Sequence, residues 1–354
     1  MTRRIVIVGL GAAAFAMSVA RTLPAAAQTT TGAAPAAGWT IGKTPDGQPD
    51  IQGTWLFFDQ TPLEKPGGIP TRRRPGETTE NAGSSDQLQR TAAARRVATG
   101  GNAANEFYNE GPIVSRSARR QSLVVVPADG KVPVRPEAVK ARDSNLDYFY
   151  DSYVYQTAAE RCITYGIPGG MFPSINASVR IIEGPGYVAI INESMNGARI
   201  IPVDGRPHLP PQIHLWNGDS RGHWEGNTLV VDTTNYNNKA AVTHFADHLQ
   251  GIKQSEALHL VERFTPVSPN TINYEVTIDD PNVYTQPWKV ELPYTRNDVY
   301  KAFEYACHEG NLHYMTVSLG SGRFKDRGPE AEKNLSATRK AAEEAGLDRK
   351  PGSK

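Results

Sequence analysis

Between Cys162 and Cys307 the chain is a succession of short, apolar-polar alternating segments separated by turn-forming residues, and this spacing constrains the fold more than any other feature. The segments are Val179 to Ile182, Tyr187 to Ile191, Arg199 to Pro202, Thr228 to Thr233, Glu256 to Thr265, Thr271 to Asp279, Trp288 to Leu292 and Phe303 to Cys307. Gly184-Pro185-Gly186, Asn196-Gly197, Glu225-Gly226-Asn227 and Ser268-Pro269-Asn270 punctuate them with the residue types that tight reversals require. No long helical pattern lies between the segments, so nothing supplies the crossovers a parallel sheet needs. The pattern predicts a mainly β protein built as an antiparallel barrel or sandwich.

Upstream, Asp50 to Phe58 reads as a first strand and Ser122 to Val126 as a short one ending in the turn Pro127 to Gly130. Pro136 to Asp143 has the look of a helix with proline in its first turn. Side chains two apart share a face of a strand. In Glu256 to Thr265, Leu258, Leu260, Glu262 and Phe264 therefore point one way and His259, Val261 and Arg263 the other, which puts an acid on the more apolar face. Ile272, Tyr274, Val276 and Ile278 form the buried face of the following segment, and in the last one Glu304 and His308 share a side.

The flanks are different in kind. Residues 1–27 read as a signal peptide: Arg3-Arg4, an apolar run from Ile5 to Ala20, and Ala25-Ala26-Ala27 before Gln28. The arginine pair resembles a twin-arginine signal without its usual Phe-Leu, which leaves the Sec route open. Gly9-Leu10-Gly11 imitates a dinucleotide fingerprint but lacks the strand and ribose-binding acid that would follow. Residues 28–48 read as a flexible leader, 49–322 as a single β-rich domain with a polar, loop-rich insertion at about 60–120, and 323–354 as a tail with an exposed C-terminal helix over Glu330 to Ala345. No other apolar run is long enough to span a bilayer. Losing Arg3, Arg4 and Arg21 takes the formal charge from +1 to −2, a balance that gives no reason to expect nucleic acid as partner. A periplasmic or secreted protein is expected. In that oxidising setting Cys162 and Cys307 read as one disulfide, the alternative being two buried free thiols.

The densest group of functional side chains lies between His208 and Tyr236, where His208, His214, His223, Trp216, Trp224, Asp219, Arg221 and Glu225 sit among glycines and prolines. It reads as a loop-borne polar site on a β scaffold. Asp219 and Arg221 flank Ser220 in a Gly-bounded turn and are candidates for ligand contact. Ser220 itself lacks the surroundings of a nucleophile elbow. All eight histidines fall after position 207, but none has the spacing of a zinc helix; His244 and His248, four apart, read as loop residues. Glu304 with His308 is the preferred acid/base pair, because an imidazole beside a carboxylate can take and return a proton. Glu262 and His259 come next. A Glu262 facing a barrel interior could act as an acid, or be merely structural if paired with Arg161 or Arg221. Trp55, Trp216, Trp224 and Tyr305 could line an aromatic pocket or simply fill the core.

His208-Leu-Pro-Pro, Gly218-Asp-Ser-Arg-Gly with Trp224-Glu-Gly, Leu229-Val-Val-Asp-Thr-Thr-Asn, His259-Leu-Val-Glu-Arg and Glu304-Tyr-Ala-Cys-His-Glu-Gly-Asn resemble a large, mostly uncharacterised family of exported proteins of soil and marine bacteria. Pro49-Asp-Ile-Gln-Gly-Thr-Trp and Arg161-Cys162 fit the same pattern. Gly53-Thr54-Trp55 on a first strand also resembles the opening of lipocalin-like (calycin) barrels, some of which bind hydrophobic ligands while others are cofactor-free hydratases, cyclases or lyases. The resemblance implies an exported lipocalin-like barrel. The leading expectation is a cofactor-free lyase, hydratase or isomerase acting on a small hydrophobic molecule, aromatic or terpenoid, with His308, Glu304, Glu262 and His259 as catalytic candidates. Arg161, His208, Trp216, Asp219, Arg221, Trp224 and Tyr305 are the candidates for substrate contact, and no metal site is expected. The alternatives are a non-catalytic lipocalin-like binding protein and a metal-dependent hydrolase using His208, His214 or His223.

Overall fold

A computed structural model describes residues 38–57, 61–65, 67, 121–149, 152–173, 177–242 and 252–310, all within the compact unit Ala33–Lys354. The signal peptide, most of the 60–120 insertion, His244, His248, His313 and the C-terminal helix read from the sequence lie outside the described residues.

Among the described residues ten strands form one antiparallel sheet: β1 (Gly53–Leu56), β2 (Val124–Val126), β3 (Ser178–Gly184), β4 (Tyr187–Asn192), β5 (Ala198–Pro202), β6 (Asp219–Glu225), β7 (Thr228–Thr234), β8 (His259–Ser268), β9 (Thr271–Asp279) and β10 (Trp288–Arg296). Their order is β5-β4-β3-β1-β10-β9-β8-β7-β6, with β2 pairing beside the path against β10. Short hairpins make most of the neighbours, and β1 joins the two halves by pairing with β3 on one side and β10 on the other. The sheet rolls until its two ends stand side by side. A methyl group at Gly222 of β6 would lie 2.9 Å from Ile201 Cγ2 of β5 and 2.8 Å from Val203 Cγ1. No backbone ladder joins β5 to β6 among the described residues, so the nearly closed barrel is completed by side chains.

Alternation decides what fills it. Leu260, Glu262 and Phe264 of β8 face inward while His259, Val261 and Arg263 are partly exposed, as the period of two requires. Ile272, Tyr274, Val276 and Ile278 of β9 are completely buried, as their alternation predicts. Aromatic rings carry much of the interior: Tyr294 stacks on Phe57 at 4.7 Å and on Tyr274 at 4.9 Å, and Phe264 leans on Tyr274 at 5.0 Å. Each such side chain removes a large apolar area from water, and the offset contacts add roughly 1 kcal/mol apiece.

Helix α1 (Pro136–Asp147) starts at the expected proline and runs one turn further than its sequence signal. Residues 152–173 form a cap of 3₁₀ turns and loops, fastened to the interior by Tyr294 Oη, which donates to Met171 O at 2.8 Å. Two sequence expectations are corrected. Asp219 to Glu225, read as part of a loop, is strand β6. Its inward positions are Ser220, Gly222 and Trp224, and the small residues demanded by the close approach of β5 erase the usual apolar alternation. Phe303 to Cys307, read as a strand, is an irregular segment leading into a single helical turn, α2 (Cys307–Gly310). Among the described residues no strand pairs with it, so its alternation has no sheet face to follow.

Candidate functional site

A small cleft, partly open to solvent, lies where the cap meets the ends of β4 and β5. Ile167, Met171 and Ile190 give it apolar walls, and Tyr165, Asn192, Asn217 and Arg199 bring polar groups to it. Backbone geometry holds these parts close: Gly166 adopts a left-handed φ of +76°, and a Cβ there would stand 2.8 Å from Ala241 O. Asn192 is pinned at both ends, donating to Gly170 O and accepting from Ser194 N at 2.9 Å. Asn217 Oδ1 accepts from Thr164 Oγ1 at 2.9 Å, which ties the β5–β6 connection to the cap.

Arg199 is the charged member of this lining. It sits on the inward face of β5 at 8% exposure and reaches across the barrel to Glu262 of β8, which is fully buried. Nη1 donates to Oε2 at 2.6 Å and Nη2 to Oε1 at 3.1 Å, and Tyr274 Oη donates to Oε1 at 2.9 Å. Burial opposes the guanidinium charge, but Glu262 outweighs it and raises Arg199 above its ordinary value. Burial, reinforced by the Glu262 charge, drives the Tyr274 hydroxyl well above the usual tyrosine range, so it stays protonated and able to donate. Arg199 Nε is buried and has no hydrogen-bond partner among the described residues.

The segment after β10 straps this region down. Glu193, in the turn between β4 and β5, accepts from Tyr300 Oη at 2.9 Å and from Phe303 N at 2.9 Å. The Tyr305 hydroxyl pairs with that of Tyr165 on the cleft wall, and Asn196 Nδ2 donates to Tyr305 O at 3.4 Å. The disulfide Cys162–Cys307 then fixes the strap to the cap, as the cysteine count predicted. Beside it the Arg161 guanidinium lies 5.1 Å over the Tyr153 ring and 5.7 Å over that of Trp216.

A second constellation occupies the outer face of β6–β8. Arg221 Nη1 donates to Asp219 Oδ1 at 2.7 Å, His208 Nδ1 meets Asp219 Oδ2 at 2.9 Å and His208 Nε2 meets Asp232 Oδ1 at 2.9 Å. His259 Nε2 closes the chain on Asp232 Oδ2 at 2.6 Å. The His208 ring donates to both carboxylates only when it carries two protons. Burial pushes the Asp232 carboxyl up, but the hydrogen bonds and charges of His259 and His208 outweigh it and hold it below the usual range. The hydrogen bond to Asp232 likewise raises His259. With Arg221 Nε donating to Pro207 O at 2.9 Å, this network clips the β5–β6 connection against the barrel wall.

The sequence-derived residues thus separate into groups. Arg161, Trp216 and Tyr305 gather at the cap and strap, with Tyr305 in contact with the cleft wall. Glu262 lies inside the barrel behind Arg199, and its partner is neither Arg161 nor Arg221. His208, Asp219, Arg221 and His259 form the outer network, on the face opposite Glu262. Trp224 is at the far end of β6 from Asn217, partly buried against the core. Glu304 and His308 are both exposed on the strap and do not share the rigid strand that motivated their pairing. Trp55 is core, donating to Ile51 O at 3.0 Å. His214 Nδ1 meets Tyr236 O and His223 Nε2 meets Glu225, so the three histidines considered for a metal are dispersed; among the described residues no group of three His, Cys, Asp or Glu is placed to hold an ion.

Arg199, Tyr165 and Asn192 were not singled out from the sequence. Arg199 had a usable signal: it shares a strand face with Ile201, and an inward cation is the natural counterpart of an inward Glu262. No helix of the described residues is long and apolar enough to cross a membrane. No family model, curated protein or solved structure matches the chain.

Proposed function

We propose that the protein is an exported enzyme that performs acid/base chemistry, of the lyase, hydratase or isomerase kind, on a small hydrophobic molecule held in the cleft beneath the cap. The observation that carries this reading is Arg199, a buried cation set into the wall of a largely apolar cleft. A carrier of apolar ligands gains nothing from a charge there, whereas a developing negative charge on a substrate oxygen is stabilised strongly by a donor in a site poor in water. The hydroxyl pair Tyr165–Tyr305 stands on the same wall as the group through which a proton moves. This assignment takes the chemistry from Glu304 and His308, which face solvent, and gives Glu262 a positioning role, holding the guanidinium in place. Export agrees with the disulfide and with the signal-like first residues.

A lipocalin-like binding protein is the second reading, and one observation favours it: both Glu262 oxygens are already occupied by Arg199 and Tyr274, so the strongest potential base in the interior is engaged. Incubation in D₂O with a panel of aromatic and cyclic terpenoid ketones and alcohols separates the two. Deuterium appearing at substrate carbon, detected by mass spectrometry and lost in Tyr165→Phe, supports the enzyme. Saturable binding with no deuterium uptake across the panel supports the carrier.

A further inference from the structure

On the cap, Arg161 is a half-buried cation to which no acid is paired among the described residues. Its guanidinium lies 5.1 Å over the Tyr153 ring and 5.7 Å over the Trp216 ring, and no described residue accepts a hydrogen bond from it. Ring faces attract a cation but leave unspent the five N–H donors that lie in the guanidinium plane. Burial holds the group below its ordinary value, with the Tyr153 hydroxyl acting the other way.

A second cation converges on the same turn. Lys253 Nζ donates to Val154 O, next in the chain to Tyr153. Burial and then the Arg161 charge lower this ammonium from its ordinary value, against the pull of Glu160. The buried Glu160 is itself turned to Thr157, whose N donates to it at 2.7 Å and whose hydroxyl also bonds to it. The turn that carries Arg161 is held by Cys162 N donating to Ala159 O at 3.0 Å, by Ile163 N donating to Ala158 O at 2.9 Å, and by the Cys162–Cys307 disulfide. Thr164 Oγ1 donates to Asn217 Oδ1, which ties the loop of Trp216 to this turn. Two neighbouring cations with spare donors on a braced, partly desolvated surface stabilise an anion placed between them.

The shape of the donors and their surroundings give its class. The planar fork of a guanidinium matches the two oxygens of a carboxylate. The Tyr153 and Trp216 rings supply apolar surface beside it, and Val154, Ile163 and Leu215, which neighbour these residues in the chain, are exposed apolar side chains. We propose that Arg161 and Lys253 form a binding site for the carboxylate of a small organic acid with a hydrophobic body. The inference goes beyond the chemistry assigned to the cleft and does not depend on it.

Calorimetry on the purified full chain with 3-phenylpropanoate, 3-phenylpropanamide and inorganic phosphate tests this. The carboxylate should bind at least about tenfold more tightly than the amide, which keeps the shape and loses the charge, and more tightly than phosphate; its affinity should fall as salt is raised. In the unaltered protein the ¹⁵N resonances of Arg161 Nε and the Trp216 indole should shift on titration, a readout independent of whether any variant folds. Arg161→Gln should weaken the carboxylate about tenfold or more, and so should Lys253→Met, a change outside the disulfide turn. Equal binding of acid and amide, or undiminished binding of the acid by the folded variants, would overturn the carboxylate site. Tighter binding of phosphate would overturn the organic-acid class, and binding of none of the three would overturn the site altogether.

Discussion

Arg199 and Glu262 meet inside the barrel from strands that are far apart along the sheet path, β5 at one end and β8 near the other, and their forked contact at 2.6 and 3.1 Å spans the interior beside the unladdered seam. Removing one partner strands the other. Glu262→Leu should lower stability by about 3–5 kcal/mol in urea denaturation, whereas the double variant Arg199→Met/Glu262→Leu should recover most of that loss. A single variant as stable as the unaltered protein would show that the pair is not held in the geometry described.

The disulfide Cys162–Cys307 closes a separation of 145 residues and holds the strap on the cap. Cys162→Ser/Cys307→Ser should cost about 2–4 kcal/mol. The strap keeps its contacts through Glu193 and Tyr305, so unfolding should stay cooperative. Non-reducing peptide mass spectrometry should show the linked pair, and quantitative alkylation of both thiols in the untreated protein would refute it.

Asp232 and His259 give the outer network a pH window. Asp232 is depressed in the folded state, so its contribution is present above about pH 4 and fades as pH falls through the depressed value. His259 is raised, so its contribution is complete below about pH 6.5 and is lost as pH climbs through the raised value. The two overlap between about pH 4 and 6.5. Both side chains are 37% exposed, so solvent screening keeps the effect below about 1 kcal/mol. Denaturation curves across pH should show Asp232→Asn reducing stability most inside that window; a difference that grows above neutral pH would contradict the sign.

Gly222 sets how closely β6 approaches β5. Because a Cβ there would stand 2.9 Å from Ile201 Cγ2, Gly222→Ala should destabilise by about 1–3 kcal/mol, with the largest amide shifts by NMR along β5 and β6. Shifts confined to the β6–β7 turn would argue against contact across the seam.

Tyr165 and His308 are expected to part company in activity. Tyr165→Phe should lower deuterium uptake into a responsive substrate by about 10²-fold, the lower scale of general acid/base assistance, while His308→Gln, altering an exposed side chain, should leave both uptake and stability unchanged. The reverse result would return the chemistry to the strap.

Strand alternation was legible wherever the inward residues were large: β8 and β9 carry Leu260, Phe264, Ile272 and Tyr274 on a strict period of two, and their faces are as the pattern predicts. It failed where the inward residues had to be small or where, among the described residues, no strand pairs with the segment. Ser220 and Gly222 disguised β6 as a loop, and the alternation in Phe303 to Cys307 was only local composition. The site suffered more, because proximity on the chain is a poor guide to proximity in a rolled sheet. His208 to Tyr236 is dense in polar groups, yet Asp219, Arg221 and His208 face outward, while the cleft draws Arg199 from β5, Asn192 from β4 and Tyr165 from the cap.

An open sheet ends in two rows of unpaired N–H and C=O groups, which are templates on which other chains can add strands and grow into aggregates. Here the two terminal strands shield each other. Because β5 and β6 are brought flank to flank by Gly222, Ile201 and Val203 without committing their backbones to a common ladder, each edge denies the other to strangers, and the barrel gains this protection without a strand register that must be matched across the join.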